Sequence, residues 1–191
     1  MTKPTNLILL FTGKRKSGKD FICEKLKATL GDANCCIIRI SGPLKRTYAE
    51  NHQLDLADLM SDGPYKEQYR LDMINWSDEI RQSDPGYFCR AACEGAPNKR
   101  IWIVSDVRRK SDIKWFKENY NNIRTIRILA DLSVREARGW KFTKGVDDVA
   151  SECDLDDFNC WDIELMNNNN LDCENIVRTI LEKCKEMRPE I

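Results

Sequence analysis

Gly13-Lys14-Arg15-Lys16-Ser17-Gly18-Lys19-Asp20 follows the apolar run Leu7-Ile8-Leu9-Leu10-Phe11. The spacing Gly-x4-Gly-Lys is that of a phosphate-binding P-loop. Such a loop needs a strand before it and a helix after it. The apolar run supplies the strand. Phe21, Ile22, Leu26 and Leu30 mark one face of a helix. The glycines let the backbone curl so that its N–H groups converge on an anion, and the helix N-terminus adds the positive end of its dipole. Lys19 is placed to reach the β- and γ-phosphates of a nucleotide. Asp20 stands where a Ser or Thr hydroxyl normally meets Mg²⁺. A carboxylate is an oxygen ligand that can hold Mg²⁺ directly or through water. Asp20 can equally be an acidic first-turn residue favoured by the dipole. Its repulsion toward polyphosphate is offset by Lys14, Arg15, Lys16 and Lys19. An ordinary GTPase is disfavoured, because Asn98-Lys99 continues as Arg100-Ile101 and no guanine-reading Asn-Lys-x-Asp is present.

The chain has 191 residues, enough for one domain (1–191) with a substantial core. With 31 basic and 31 acidic residues it has no cationic excess to attract nucleic acid. No apolar run reaches membrane-spanning length, and Met1–Asn6 enters a strand too soon for a signal peptide. Nine cysteines are scattered without a CxxC pair, and His52 is the only histidine, which disfavours a zinc site. These features suit reduced, core-packed thiols in a cytosolic monomer.

Apolar runs alternate with helical stretches. Strands are expected at 7–11, 35–40, 101–105, 123–130 and 161–165, and helices at 18–30, 44–51, 65–81, 88–94, 112–120, 133–138 and 173–187. Ser111 is the expected N-cap of the helix from Asp112. In the last helix Ile176, Val177, Ile180, Leu181, Cys184 and Met187 share a face. The order predicts an α/β fold, a five-stranded parallel sheet with helices on both faces, with ligands at the carboxyl ends of the strands.

The strand Ile101–Ser105 ends in Asp106, followed by Val107-Arg108-Arg109. A carboxylate at a strand tip beside a P-loop suits Mg²⁺ or its water shell. Arg108 and Arg109 then project from the ligand-bearing edge. Arg81, Arg90, Arg127, Arg135 and Arg138 also fall at element ends, and guanidinium binds phosphate bidentately. Arg138 opens a Gly- and Asp-rich stretch, and 133–157 reads as a lid, expected to stay open while its arginines repel one another across an empty site. From Val146 to Val177 there is no Lys or Arg but ten Asp or Glu, which reads as a solvated acidic face. Many arginines with one histidine suit a phosphate acceptor, whose oxygen needs no base, although an Asp could serve as one. The residues alone leave open a kinase for another small molecule and a nucleotide-dependent scaffold.

Seven segments carry a resemblance: Leu-Phe-Thr-Gly-Lys-Arg-Lys-Ser-Gly-Lys-Asp (10–20), Ser-Gly-Pro-Leu-Lys (41–45), Tyr-Lys-Glu (65–67), Arg-Gln-Ser-Asp-Pro-Gly-Tyr-Phe-Cys-Arg (81–90), Val-Ser-Asp-Val-Arg-Arg (104–109), Ser-Asp-Ile-Lys-Trp-Phe (111–116) and Arg-Gly-Trp-Lys-Phe-Thr-Lys-Gly-Val-Asp-Asp (138–148). Together they resemble the animal-type phosphomevalonate kinase family, whose pattern includes the Asp after the P-loop lysine. The resemblance implies a nucleoside-monophosphate-kinase-like fold. It implies Mg²⁺- and ATP-dependent phosphorylation of (R)-5-phosphomevalonate in isoprenoid and sterol synthesis. Residues 14–20 and Asn168 would meet ATP. Arg138 and Asn167 would meet substrate, and Arg81, Arg90, Arg108, Arg109 and Arg127 match the family's functional arginines. The resemblance weakens after Asp157, where Cys173 replaces a basic residue.

Overall fold

The computed structural model describes residues 7–61 and 63–187, so Met1–Asn6, read above for a signal peptide, lies outside the described residues. Strand β1 (Leu7–Thr12) is buried along its whole length. It lies at the centre of a five-stranded sheet ordered β2-β3-β1-β4-β5, with β2 Cys35–Ile38, β3 Ile101–Val104, β4 Ile123–Leu129 and β5 Ile163–Met166. Every pairing is parallel, with Leu10 opposite Val104 on one side and Thr125 on the other. Strands covered on both faces read as continuous apolar runs, which is why β1 was legible.

Successive β1 side chains point to opposite faces. Leu7, Leu9 and Phe11 pack with Ile22 and Leu26 of α1 (Lys19–Leu30) and with Ile176, Ile180 and Cys184 of α9 (Asn170–Met187). Ile8 and Leu10 pack with Phe88 of α5 (Tyr87–Glu94) and with Ile113 and Phe116 of α6 (Lys110–Asn119). A third cluster, Tyr48, Ala49, Leu59 and Met73, joins α2 (Ser41–His52), α3 (Leu56–Met60) and α4 (Pro64–Ser83) into a helical wall. Among the described residues no helix is long and apolar enough to cross a membrane.

Several expectations are corrected. Phe21 is 59% exposed, and the core face of α1 is Ile22, Cys23, Leu26 and Leu30. In α9, Ile176, Val177, Ile180, Leu181 and Cys184 share the expected face, the side chain of Met187 lies outside the described residues, and Cys173 is buried in the core. Helix α2 starts at Ser41 rather than 44, because the Asp106 carboxylate accepts from Ile40 N at 2.7 Å and Ser41 N at 2.9 Å. Helix α6 starts at Lys110, so Ser111 is inside its first turn and does not cap it. Asp112 reaches back instead to the Arg108 and Arg109 N–H groups. Helices α3 and α8 (Ala150–Cys153) were not anticipated, being too short to show a period. Segment 133–157 holds α8 and all of α7 (Leu132–Ala137) but its first residue.

Candidate active site

The P-loop turns tightly between β1 and α1. Lys16 and Gly18 have φ of 64° and 85°, and Ser17 N donates to Lys14 O at 3.0 Å. A Cβ on Gly13 would lie 2.6 Å from both Ile128 O and Ser17 Oγ, so the loop runs too close to β4 for any side chain there. The Ser17 hydroxyl is buried and has no partner among the described residues. Lys19 donates to Ser105 O and lies 2.5 Å from Asp20 Oδ1, whose side chain is 72% exposed.

A cleft of about 870 Å³ opens from this loop. Its floor carries residues 13–20 and the β3 tip with Asp106, Arg108 and Arg109. Arg81 enters from α4. Both oxygens of Asp106 accept from the start of α2, and each keeps a further lone pair. Arg81 Nη1 donates to buried Asp112 at 2.7 Å, and Arg109 Nη2 donates to Asp78 at 2.5 Å. The Arg108 side chain pairs with Glu152. Desolvation pulls the Arg108 pKa below the usual arginine value while Asp106 pulls it back, and the guanidinium stays charged.

Four further cations line the cleft without having been assigned from sequence: Arg39, Lys45, Lys66 and Arg70. Lys45 and Lys66 fall inside the quoted segments 41–45 and 65–67, which was the available signal. Arg39 stands just past the carboxyl end of β2, so the expected ligand edge was its signal; Arg70 had none, because it meets the cleft only once α4 stands over it.

The other predicted residues lie around this cleft. Asn167, at the end of β5, is 3% exposed and donates from Nδ2 to Ser17 O at 2.8 Å. Arg138 donates to Ser17 O at 3.1 Å and to Asn167 O at 2.9 Å, so it braces the back of the loop. Asn168 donates to Asp131 at 2.8 Å. Arg127 leans on Glu164 at 3.5 Å and over the Trp161 ring at 5.7 Å. It lines a smaller cavity of about 60 Å³ that shares Lys14, Lys19 and Arg108 with the cleft. Arg90 pairs with Asp84 at the start of α5 and does not line the cleft. His52 is exposed and stacks on Tyr48 at 4.0 Å.

The acidic stretch is not simply a solvated face. Lys14 Nζ lies 2.6 Å from Asp156 Oδ1 and donates to Glu152 O at 2.5 Å. Arg15 lies 3.0 Å from Asp147, and Lys110 lies 2.7 Å from Asp157. Arg135 Nε donates to Arg15 O at 2.8 Å and stacks over Trp140 at 4.4 Å. Burial pushes the Asp147 carboxyl up, but the Trp140 indole N–H, Thr143 N–H and Arg15 outweigh it and hold it below the usual range. Segment 133–157 therefore folds onto the P-loop, its acids neutralising the loop's cations. Among the described residues these pairs offset the arginine repulsion expected to hold the segment open.

A parallel sheet carrying a P-loop after its central strand, with a helical wall and a folded-over segment at the carboxyl ends, is a P-loop kinase fold. The APS kinase CysC of Mycobacterium tuberculosis, in complex with AMPPNP and APS, is similar at a TM-score of 0.52 and 15% identity, over 94% of this chain and 98% of that one. A sequence profile described as phosphomevalonate kinase matches residues 11–122. The Drosophila melanogaster phosphomevalonate kinase is 53% identical over 175 residues, 88% of this chain and 92% of that protein. The chain belongs to the phosphomevalonate kinase family.

Proposed function

We propose that this chain transfers the γ-phosphoryl group of ATP to (R)-5-phosphomevalonate, giving (R)-5-diphosphomevalonate and ADP. The carrying observation is one cleft that holds Lys19 at its P-loop side and Arg81, Arg108 and Arg109 beside it. Two anions repel each other, and a site that joins them must supply opposed cations that are already in place.

The ATP triphosphate lies along residues 14–20, against the backbone N–H groups and the Ser17 hydroxyl, with Lys19 at the β- and γ-phosphates. The acceptor phosphate lies on Arg81, Arg108 and Arg109. At pH 7 a phosphate monoester is largely dianionic, with a second pKa of about 6, so its oxygen attacks without losing a proton. The new P–O bond forms at the γ-phosphorus as the bond to the β-phosphate oxygen breaks, and ADP takes the electron pair. No histidine is needed, and His52 stands outside the cleft lining. Asp20 and Asp106 are oxygen donors on this lining and suit Mg²⁺, directly or through water; the ion would neutralise phosphate charge there. Arg15, Arg135 and Arg138 tie segment 133–157 to the loop, which excludes water from the transferring group.

We assign this activity to one domain spanning 1–191, acting as a cytosolic monomer. Nine cysteines, all free thiols, support a reducing compartment. The test is ³¹P NMR of a reaction with ATP and phosphomevalonate. One diphosphate product per ADP is expected. ADP accompanied by inorganic phosphate alone would overturn the assignment.

A further inference from the structure

Asp112 is a fully buried carboxylate that the chemistry above does not use. Every donor it meets among the described residues comes from the arginine machinery or from the helix beneath it. Its Oδ1 accepts from Arg81 Nη1 at 2.7 Å and faces Cys89 Sγ at 3.5 Å. Its Oδ2 accepts from the backbone N–H groups of both Arg108 and Arg109, each at 3.1 Å. A buried charge persists only when paired and hydrogen-bonded, and this one is. A pair that merely joined α4 to α6 could stand anywhere along the two helices. This one meets the guanidinium of Arg81 and the backbone from which Arg108 and Arg109 start.

We propose that Asp112 is the positioning residue for the acceptor phosphate. It fixes the Arg81 guanidinium by an ion pair, assisted by the Phe88 ring 5.2 Å beneath it. It also fixes the turn from which Arg108 and Arg109 project. Arg109 receives a second tether from Asp78 at 2.5 Å. Arginine side chains have many rotamers, and a small misplacement of a positioned charge costs catalysis steeply. The proposal rests on the phosphomevalonate reading only for the identity of the acceptor.

The test is a cycle of Asp112→Asn, Arg81→Gln and the double variant, with melting temperature and both KM values measured. Asn keeps an amide oxygen for the Arg108 and Arg109 N–H groups but turns an N–H₂ toward Arg81, so it breaks the pair selectively. Asp112→Asn is expected to raise KM for phosphomevalonate about tenfold or more, with KM for ATP within about twofold of wild type. In the Arg81→Gln background the same change should add less than about twofold, because residues acting as a unit are not additive. If Asp112→Asn fails to fold, Asp112→Glu, which keeps the charge but displaces it by one methylene while Arg81 stays in place, carries the test. It should raise the phosphomevalonate KM alone. Equal rises in both KM values, full multiplication of the two single effects, or a double variant with wild-type constants would overturn the proposal. A wild type that turns over a different phosphorylated acceptor would refute the substrate reading instead, and the same split is then read on that acceptor's KM.

Discussion

Gly18→Ala probes the back of the P-loop, where backbone strain and a buried hydrogen bond coincide. Gly18 has φ of 85° and ψ of 10°, a left-handed conformation that costs an L-residue about 1–2 kcal/mol. A Cβ there would lie 2.3 Å from Asn167 Nδ2. The amide cannot step aside freely, because it is buried and donates to Ser17 O at 2.8 Å. Losing that bond strands the buried Asn167 amide, while Ser17 O keeps Arg138, at a cost of about 1–3 kcal/mol. The two effects sum to about 2–5 kcal/mol, or a melting temperature lower by roughly 4–20 °C for a chain of this size. The control is Gly139→Ala, also at positive φ (83°) but with nothing within 4 Å of its Cβ, so it should show the backbone cost alone. Calorimetry on both variants, and on Gly18→Ala combined with Asn167→Ala, separates the contributions. The combined variant should lose less than the sum of its parts. If Gly18→Ala melts no lower than Gly139→Ala, the reasoning about Asn167 is wrong.

Lys19→Met should lower turnover by at least about 10²-fold, the scale for removing one preorganised donor, with an unchanged far-UV spectrum; near-normal turnover would remove Lys19 from the chemistry. Asp20→Ala, at a largely exposed side chain, should leave the melting temperature within about 2 °C and raise the Mg²⁺ needed for half-maximal rate. An unchanged Mg²⁺ dependence would make Asp20 a helix-start residue. Burial pushes the Cys23 thiol up to about 12 and Cys184 to about 11, and burial beside Asp112 raises Cys89 as well. These thiols stay protonated at pH 8, so mass spectrometry after iodoacetamide should find exposed Cys160 modified first and these three spared. Early labelling of Cys89 would contradict its packing against Asp112.

The central architecture was legible because local signals agreed. An apolar strand, a glycine-lysine loop and an amphipathic helix follow one another within residues 7–30, and the sheet encloses β1 on both sides. The start of α2 was not legible, because the carboxylate that caps it comes from Asp106, more than sixty positions along the chain. Asp112 was visible as the residue after a supposed cap and within the quoted segment 111–116, but with no role; its hold on Arg81 needs α4 and α6 to be docked. The acids of 147–157 looked like solvated charge because their partners, Lys14, Arg15 and Arg108, lie far away in sequence. For Arg90 and Arg127, a resemblance gives the residue type but not the direction in which its side chain leaves the helix or strand.

The most direct measurement of the central claim is ADP release in a coupled assay, with phosphomevalonate set against mevalonate and nucleoside monophosphates as acceptors. The cleft's three arginines beside Lys19 predict rapid, saturable turnover with phosphomevalonate and little with mevalonate, which lacks the phosphate they would hold; membership of the phosphomevalonate kinase family predicts little with nucleoside monophosphates. Turnover with mevalonate equal to that with phosphomevalonate, or preference for a nucleoside monophosphate, would contradict the account.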